Sequence, residues 1–178
     1  MIRIILQVVG VLILIPVVTI VTLRLENRDA DGPSILFPGG ALVSGEMYTG
    51  AEPDWAFTAD VPVIELQLDN PLASRRIFIM ESGGKAYVPS GYMRSFLGRL
   101  WKDWAFAADA GDGLAVIRIN DVRYERQLIR VKEGPEVAAV AAKLAEKYAG
   151  GTDEAIAATQ SSIEQGDTWI FELAPRSH

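Results

Sequence analysis

Residues 4–23, IILQVVGVLILIPVVTIVTL, form an almost unbroken apolar run flanked by Arg3 and Arg24. Twenty helical residues rise about 30 Å, the thickness of a bilayer's hydrocarbon core. The run exceeds the h-region of about 7–15 residues in a secretory signal, and VTLRLENRDA behind it offers no small-x-small cleavage site. The segment therefore reads as an uncleaved single-pass anchor, with Gln7 and Pro16 tolerated inside a span. Arg3 stands against Arg24 and Arg28 across the run, and this balance does not fix the side on which the rest of the chain lies.

The remaining residues suffice for one ordinary domain. Three parts follow: an anchor over 1–25, a linker over 26–38 rich in charge, proline and glycine, and a folded domain over 39–178. Cysteine is absent, which removes disulfides, thiolate metal sites and cysteine nucleophiles. The single histidine, His178, is the last residue, so no histidine-based triad or metal cluster is expected. Ser44, Ser90 and Ser95 consequently lack a histidine partner, and hydrolysis ranks low among candidate activities.

Net charge is −6, unevenly spread. Between Arg75 and Lys132, eleven Lys or Arg face six Asp or Glu, giving +5 there and −11 elsewhere. Clustered cations suit an anionic ligand; equally, alternate strand positions can simply face water. The acidic whole and the lack of a recognition motif argue against nucleic acid.

Strand-like runs occur at Leu42–Glu46, Val61–Leu68, Arg76–Glu81, Ala86–Pro89, Leu114–Asn120, Val122–Val131 and Trp169–Leu173. Ser82-Gly83-Gly84-Lys85 and Asn120-Asp121 supply tight turns. Ile64, Leu66 and Leu68 alternate with Glu65 and Gln67, as in a sheet with one wet face or one lining a polar cavity. An inward-pointing Glu65 would stand beside Arg118 or Arg126, either as a buried ion pair or in a polar ligand pocket. The spacing predicts a helix over Tyr92–Trp104, a second opened by Pro135 with Val137, Val140, Ala141, Leu144 and Tyr148 inward, and a third over Asp153–Gln165.

The order Gly39-Gly40, Pro53-Asp54-Trp55, Ile64-Glu65-Leu66, Ala86-Tyr87-Val88, Gly98-Arg99-Leu100-Trp101-Lys102, Ala115 to Ile119 and Val122 to Arg126 resembles the FMN-binding split β-barrel superfamily, in particular relatives of pyridoxamine-phosphate oxidases and deazaflavin-dependent nitroreductases. The resemblance covers roughly Gly39 to Tyr148, and the amino-terminal anchor departs from it. It implies an α+β fold, mainly β: a split barrel of about six to seven antiparallel strands with two to three helices, behind one transmembrane helix. It also implies a groove for FMN or deazaflavin, commonly at a homodimer interface. Matching positions for cofactor contact are Arg75, Lys85, Tyr87, Ser90, Arg99, Trp101 and Lys102, with Arg76 and Arg94 nearby. Arg99 beside Trp101 and Trp104 forms a possible nucleus, the arginine for phosphate and the indole for a flat ring; the alternative is that both tryptophans are core. Asp54 reads as a turn cap.

Two functions follow from this reading. One is a membrane-tethered barrel binding a flavin-like or other planar anionic ligand, as an oxidoreductase whose cofactor carries the chemistry. The other is a cofactor-free anchored module that contacts lipid headgroups or a partner protein through its basic face.

Overall fold

The structure, a computed structural model, describes residues 1–176, without the side chains of Leu97, Arg99 and Leu100; His178 lies outside the described residues. Helix α1 (Ile2–Asn27) is long and apolar enough to cross a membrane, and none of its residues is buried. The rest is an α+β fold. Eight strands, β1 (Glu46–Met47), β2 (Val63–Asp69), β3 (Leu72–Phe78), β4 (Met80–Ser82), β5 (Lys85–Ser90), β6 (Leu114–Ile119), β7 (Val122–Val131) and β8 (Trp169–Pro175), are joined by α2 (Phe96–Trp101), α3 (Asp103–Ala110), α4 (Glu136–Tyr148) and α5 (Asp153–Glu164).

The strands run β3-β2-β6-β7-β8-β5-β4, antiparallel throughout, with short β1 parallel to β7. The two end strands, β3 and β4, are consecutive in sequence and separated only by Ile79. One chain segment thus pairs with β2 along its first part and with β5 along its second, and the sheet curls closed at this seam. Closure removes most of the exposed edge that an open sheet presents. The predicted single run Arg76–Glu81 is therefore two strands, which raises the expected seven to eight.

At Ile79 the backbone leaves both ladders, and its polar groups find partners on α4. Its N–H donates to the Tyr148 hydroxyl (3.2 Å), and its carbonyl accepts from Lys147 Nζ (2.9 Å) and from the Tyr148 hydroxyl (2.6 Å). A buried backbone group without such partners would be costly.

Alternation then sorts the side chains. Ile64, Leu66, Leu68, Ile77, Val88, Ile117, Tyr124, Leu128, Phe171 and Leu173 face the barrel interior, joined by Met93 and by Trp104, Ala105 and Ala108 of α3. On the opposite face of β4, β5 and β8, Met80, Tyr87 and Ile170 pack under Val137, Val140 and Ala141 of α4 and Ile163 of α5. This is the stripe predicted for α4.

Residues 28–48 lie as a strap over the outer face of the sheet. Gly39 bridges to Ser74, Leu42 N–H donates to Gln67 Oε1 (2.7 Å), and Arg123 reaches the carbonyls of Leu42 (2.9 Å) and Gly45 (3.2 Å). Side chains rather than a strand ladder hold this segment, so the run Leu42–Glu46 is strand only at its last residue.

The helix predicted over Tyr92–Trp104 is corrected. Tyr92 sits at φ 61°, outside helical space, and Ser95 caps α2 by accepting from Gly98 N–H (2.8 Å). Lys102 (φ −112°, ψ 25°) then breaks the helix before α3. The break sends the two tryptophans apart: Trp104 is buried and Trp101 is 70% exposed.

Candidate functional site

Three arginines sit on the interior face of the barrel wall, and each lies over a tryptophan with a carboxylate near one terminal nitrogen. Arg126 lies 4.8 Å from the Trp55 ring and donates to Glu52 (2.7 Å). Arg130 lies 3.3 Å from the Trp169 ring and donates to Asp109 (2.8 Å). Arg75 lies 5.4 Å from the Trp104 ring, but its carboxylate, Asp103, stands back at 3.8 Å and is largely exposed. A guanidinium over an indole face is held by the ring quadrupole, and the planar fork suits stacking.

The Arg75 corner differs from the other two in charge balance. Arg75 is opposite Leu66 in the β2–β3 register, so its stem shares the apolar face and its head emerges beside the start of α3. Burial disfavours its charge, and Asp103 only partly offsets that. Lys102, between α2 and α3, has its pKa lowered first by burial and then by the Arg75 charge. Two partly desolvated cations thus disfavour each other beside one hydrated acid that stands 3.8 Å from Arg75, while the Nε atoms of Arg75, Arg126 and Arg130 alike are buried without a hydrogen-bond partner among the described residues. Convergent donors of this kind can bind an oxyanion in two directions.

The other predicted positions divide between places. Lys85 donates to Glu172 (2.9 Å) across β5 and β8, which raises its pKa. Tyr87 is buried beneath α4 on the outer face, and that burial raises its pKa. These two residues lie on the opposite side of the wall from Arg75. Ser90 is buried on the interior side, with its hydroxyl 3.2 Å from Met93 Sδ. Trp101 is exposed at the end of α2, next in sequence to Lys102, and the side chain of Arg99 lies outside the described residues. The structure therefore brings together Arg75 and Lys102, with Trp101 adjoining in the chain.

Asp103 and Trp104 complete this corner, although spacing alone did not single out their contact with Arg75. The signal was Arg75 itself: β2 and β3 pair so that a charge falls at an apolar-face position, which calls for a partner. Asp54 caps the 3-10 turn Trp55–Thr58 by accepting from Ala56 N–H (3.0 Å), as its sequence position suggested.

A second polar cluster lies on the outer face. Arg118 Nε donates to Glu65 (2.5 Å), and its Nη1 donates to Asp31 (2.8 Å) and to the Ser44 hydroxyl (2.5 Å). Of the two arginines considered for Glu65, Arg118 is the partner, and the pair lies on the outer face rather than inside the barrel, because Ile64 and Leu66 on either side take the interior positions. The Asp31 carboxylate also accepts from Val43 N–H (2.9 Å) and Ser44 N–H (3.1 Å). Hydrogen bonding to Ser44 first, then to Val43 and Arg118, holds Asp31 well below the usual carboxylate range. Beside this cluster is a cleft of about 240 Å³ lined by Val63, Glu65, Arg76, Arg118 and Asp121, among others. Glu65 and Arg118 neutralise each other there, leaving it less suited to a charged ligand than the Arg75 corner.

No protein-family model matches this chain, and no curated protein matches it in sequence. Among solved structures, the conserved hypothetical protein Rv2991 from Mycobacterium tuberculosis is similar at 13% identity and a TM-score of 0.46, over 68% of this chain and 77% of that one.

Proposed function

We propose that this chain is a membrane-tethered barrel that binds a planar, phosphate-bearing ligand of the flavin or deazaflavin class at the Arg75–Lys102 corner. One observation carries the reading: of three arginine–tryptophan–carboxylate groups of like construction, only this one has its acid withdrawn beyond hydrogen-bond distance, and the Lys102 charge nearby is disfavoured by that of Arg75. A desolvated pair of cations costs folding free energy, and an anion arriving between them would offset it.

The residues fit the phosphate end of such a ligand, because Asp103 comes no nearer to the Arg75 guanidinium than 3.8 Å and Lys102 is only half-buried. Trp101, exposed next to Lys102, offers a flat face for a ring. Bound flavin or deazaflavin would supply hydride transfer, while the chain's own residues hold and orient it. Asp103 would keep Arg75 charged and aimed.

The test uses the full chain in detergent or nanodiscs, titrated with FMN and with deazaflavin while visible absorbance and tryptophan fluorescence are followed. The expected result is saturable binding that weakens at least tenfold in Arg75→Met and in Lys102→Met. Saturable binding left unchanged by both substitutions would move the site elsewhere, and no binding of either cofactor would overturn the reading.

A second reading has its own observation. Tyr92, Phe96 and Trp101 are 73%, 80% and 70% exposed within one short segment that also carries exposed Arg94. Exposed aromatics with a cation suit an interaction surface for a partner protein or lipid headgroups, without cofactor. Cofactor titrations that stay flat, with vesicle or partner binding lost on Phe96→Ser, would favour it.

A further inference from the structure

A second apolar surface lies much nearer the membrane helix. Ile35 and Leu36 are 84% and 74% exposed at the tip of a tight turn, closed by Ser34 N–H donating to the Phe37 carbonyl (3.1 Å) and Phe37 N–H donating to the Ser34 hydroxyl (2.9 Å). Pro33 and Pro38 flank the turn and fix φ on both sides. The base is pinned: Gly40 N–H donates to the Ala30 carbonyl (2.9 Å), Gly39 bridges to Ser74, and Asp31 is gripped by Arg118. Gly32 and Gly39 approach so closely that a Cβ on Gly39 would overlap the Gly32 carbonyl oxygen, 1.9 Å away. A held turn with two bare aliphatic residues at its tip has no role in the barrel core.

Its place along the chain indicates what it meets. Asn27 lies four residues beyond Leu23, so α1 ends about 6 Å outside the hydrocarbon boundary, within the headgroup layer. Ala30 N–H donates to the Asn27 carbonyl, which keeps the base of the turn within one further turn of that end. Leu36 is four residues from Gly40 and so within about 14 Å of it. Arg24 and Arg28 at the helix end suit the lipid phosphates at the same level. We infer that the Ile35–Leu36 turn is seated in the lipid interface beside α1, so that the domain rests on the membrane at two points. This inference rests on reading α1 as a membrane span.

The absence of cysteine makes the test direct, since any introduced cysteine is unique. Single variants Leu36→Cys, Leu12→Cys within α1, and Ala157→Cys on the exposed face of α5 would be labelled with an environment-sensitive fluorophore. The full chain would be reconstituted in phosphatidylcholine–phosphatidylglycerol vesicles with and without lipid-borne quenchers. The expected result is lipid quenching at positions 12 and 36, with at least threefold less at 157. Quenching at 12 but not at 36 would overturn the seated turn while leaving the anchor intact. Quenching at neither would remove the span, and the turn's seat with it.

Discussion

The ammonium of Lys147 donates a 2.9 Å hydrogen bond to the carbonyl of Ile79, the residue at which the barrel wall changes partners. The same ammonium donates to the carbonyls of Thr58 (2.7 Å) and Val61 (2.8 Å). Its three donors are thereby satisfied by three loop or seam carbonyls that the ladders do not reach. Lys147→Met keeps the stem and removes all three bonds. The expected loss is about 1–3 kcal/mol in denaturant unfolding, since the Val61 carbonyl is left without a partner while Ile79 keeps the Tyr148 hydroxyl and Thr58 keeps Val61 N–H. An unchanged midpoint would show that water replaces the ammonium freely.

Arg75→Met should act in the opposite direction on stability. The side chain already lies on an apolar face against Trp104, and methionine preserves that packing while removing a desolvated charge beside Lys102. The thermal midpoint should hold or rise by a few degrees, while FMN affinity falls at least tenfold. A stability gain paired with a binding loss is the mark of a functional charge. A drop of several degrees would instead assign Arg75 to the fold.

Lys102 gives the pH dependence. Its folded pKa lies below the ordinary lysine value of about 10.4, so it loses its proton at lower pH than an exposed lysine. Anion affinity should therefore decline as alkaline pH passes through that lowered value. Stability should move the other way, rising between the folded and unfolded values as the folded state sheds the strained proton first. Titrating FMN binding and unfolding together across this range tests both signs, and Lys102→Met should flatten both.

Asp31→Asn should loosen the strap at neutral pH. Because the folded pKa of Asp31 is depressed, its contribution is complete above about 4, the unfolded carboxylate value, and is lost as pH falls through the lower folded value. The substitution should cost about 1–3 kcal/mol and expose residues 28–45 to protease. Equal cleavage rates in both forms would mean that Arg123 and Gln67 hold the strap without it.

The parts legible in the sequence were those governed by short-range periodicity. The alternation of Ile64, Leu66 and Leu68, the stripe on α4, and the tight turn at Asn120-Asp121, where both residues take positive φ, follow from local chemistry. The split at Ile79 was illegible, because an apolar residue in a continuous strand-like run carries no sign that its hydrogen bonds go to α4. Helix 92–104 failed for a related reason: apolar spacing survives a local break, and Ser95 as a cap was the overlooked signal. The Arg75–Lys102 pair joins distant parts of the chain, and only the closed barrel brings them within reach. Spacing leaves Arg118 and Arg126 as alternative partners for Glu65; the β2–β6 register selects Arg118, and its grip on Asp31 depends on a strap that periodicity does not describe.

That strap has a mechanical consequence. Ala30 paired to Gly40, Asp31 to Arg118, and Leu42 to Gln67 leave no slack between α1 and the barrel. With α1 read as a span, a bilayer that thins or thickens would re-tilt it, and the tilt would arrive at β2 and β6 as torque rather than dissipate in a loose tether. The barrel would then turn with the helix, and the orientation of the Arg75–Lys102 corner would follow bilayer thickness.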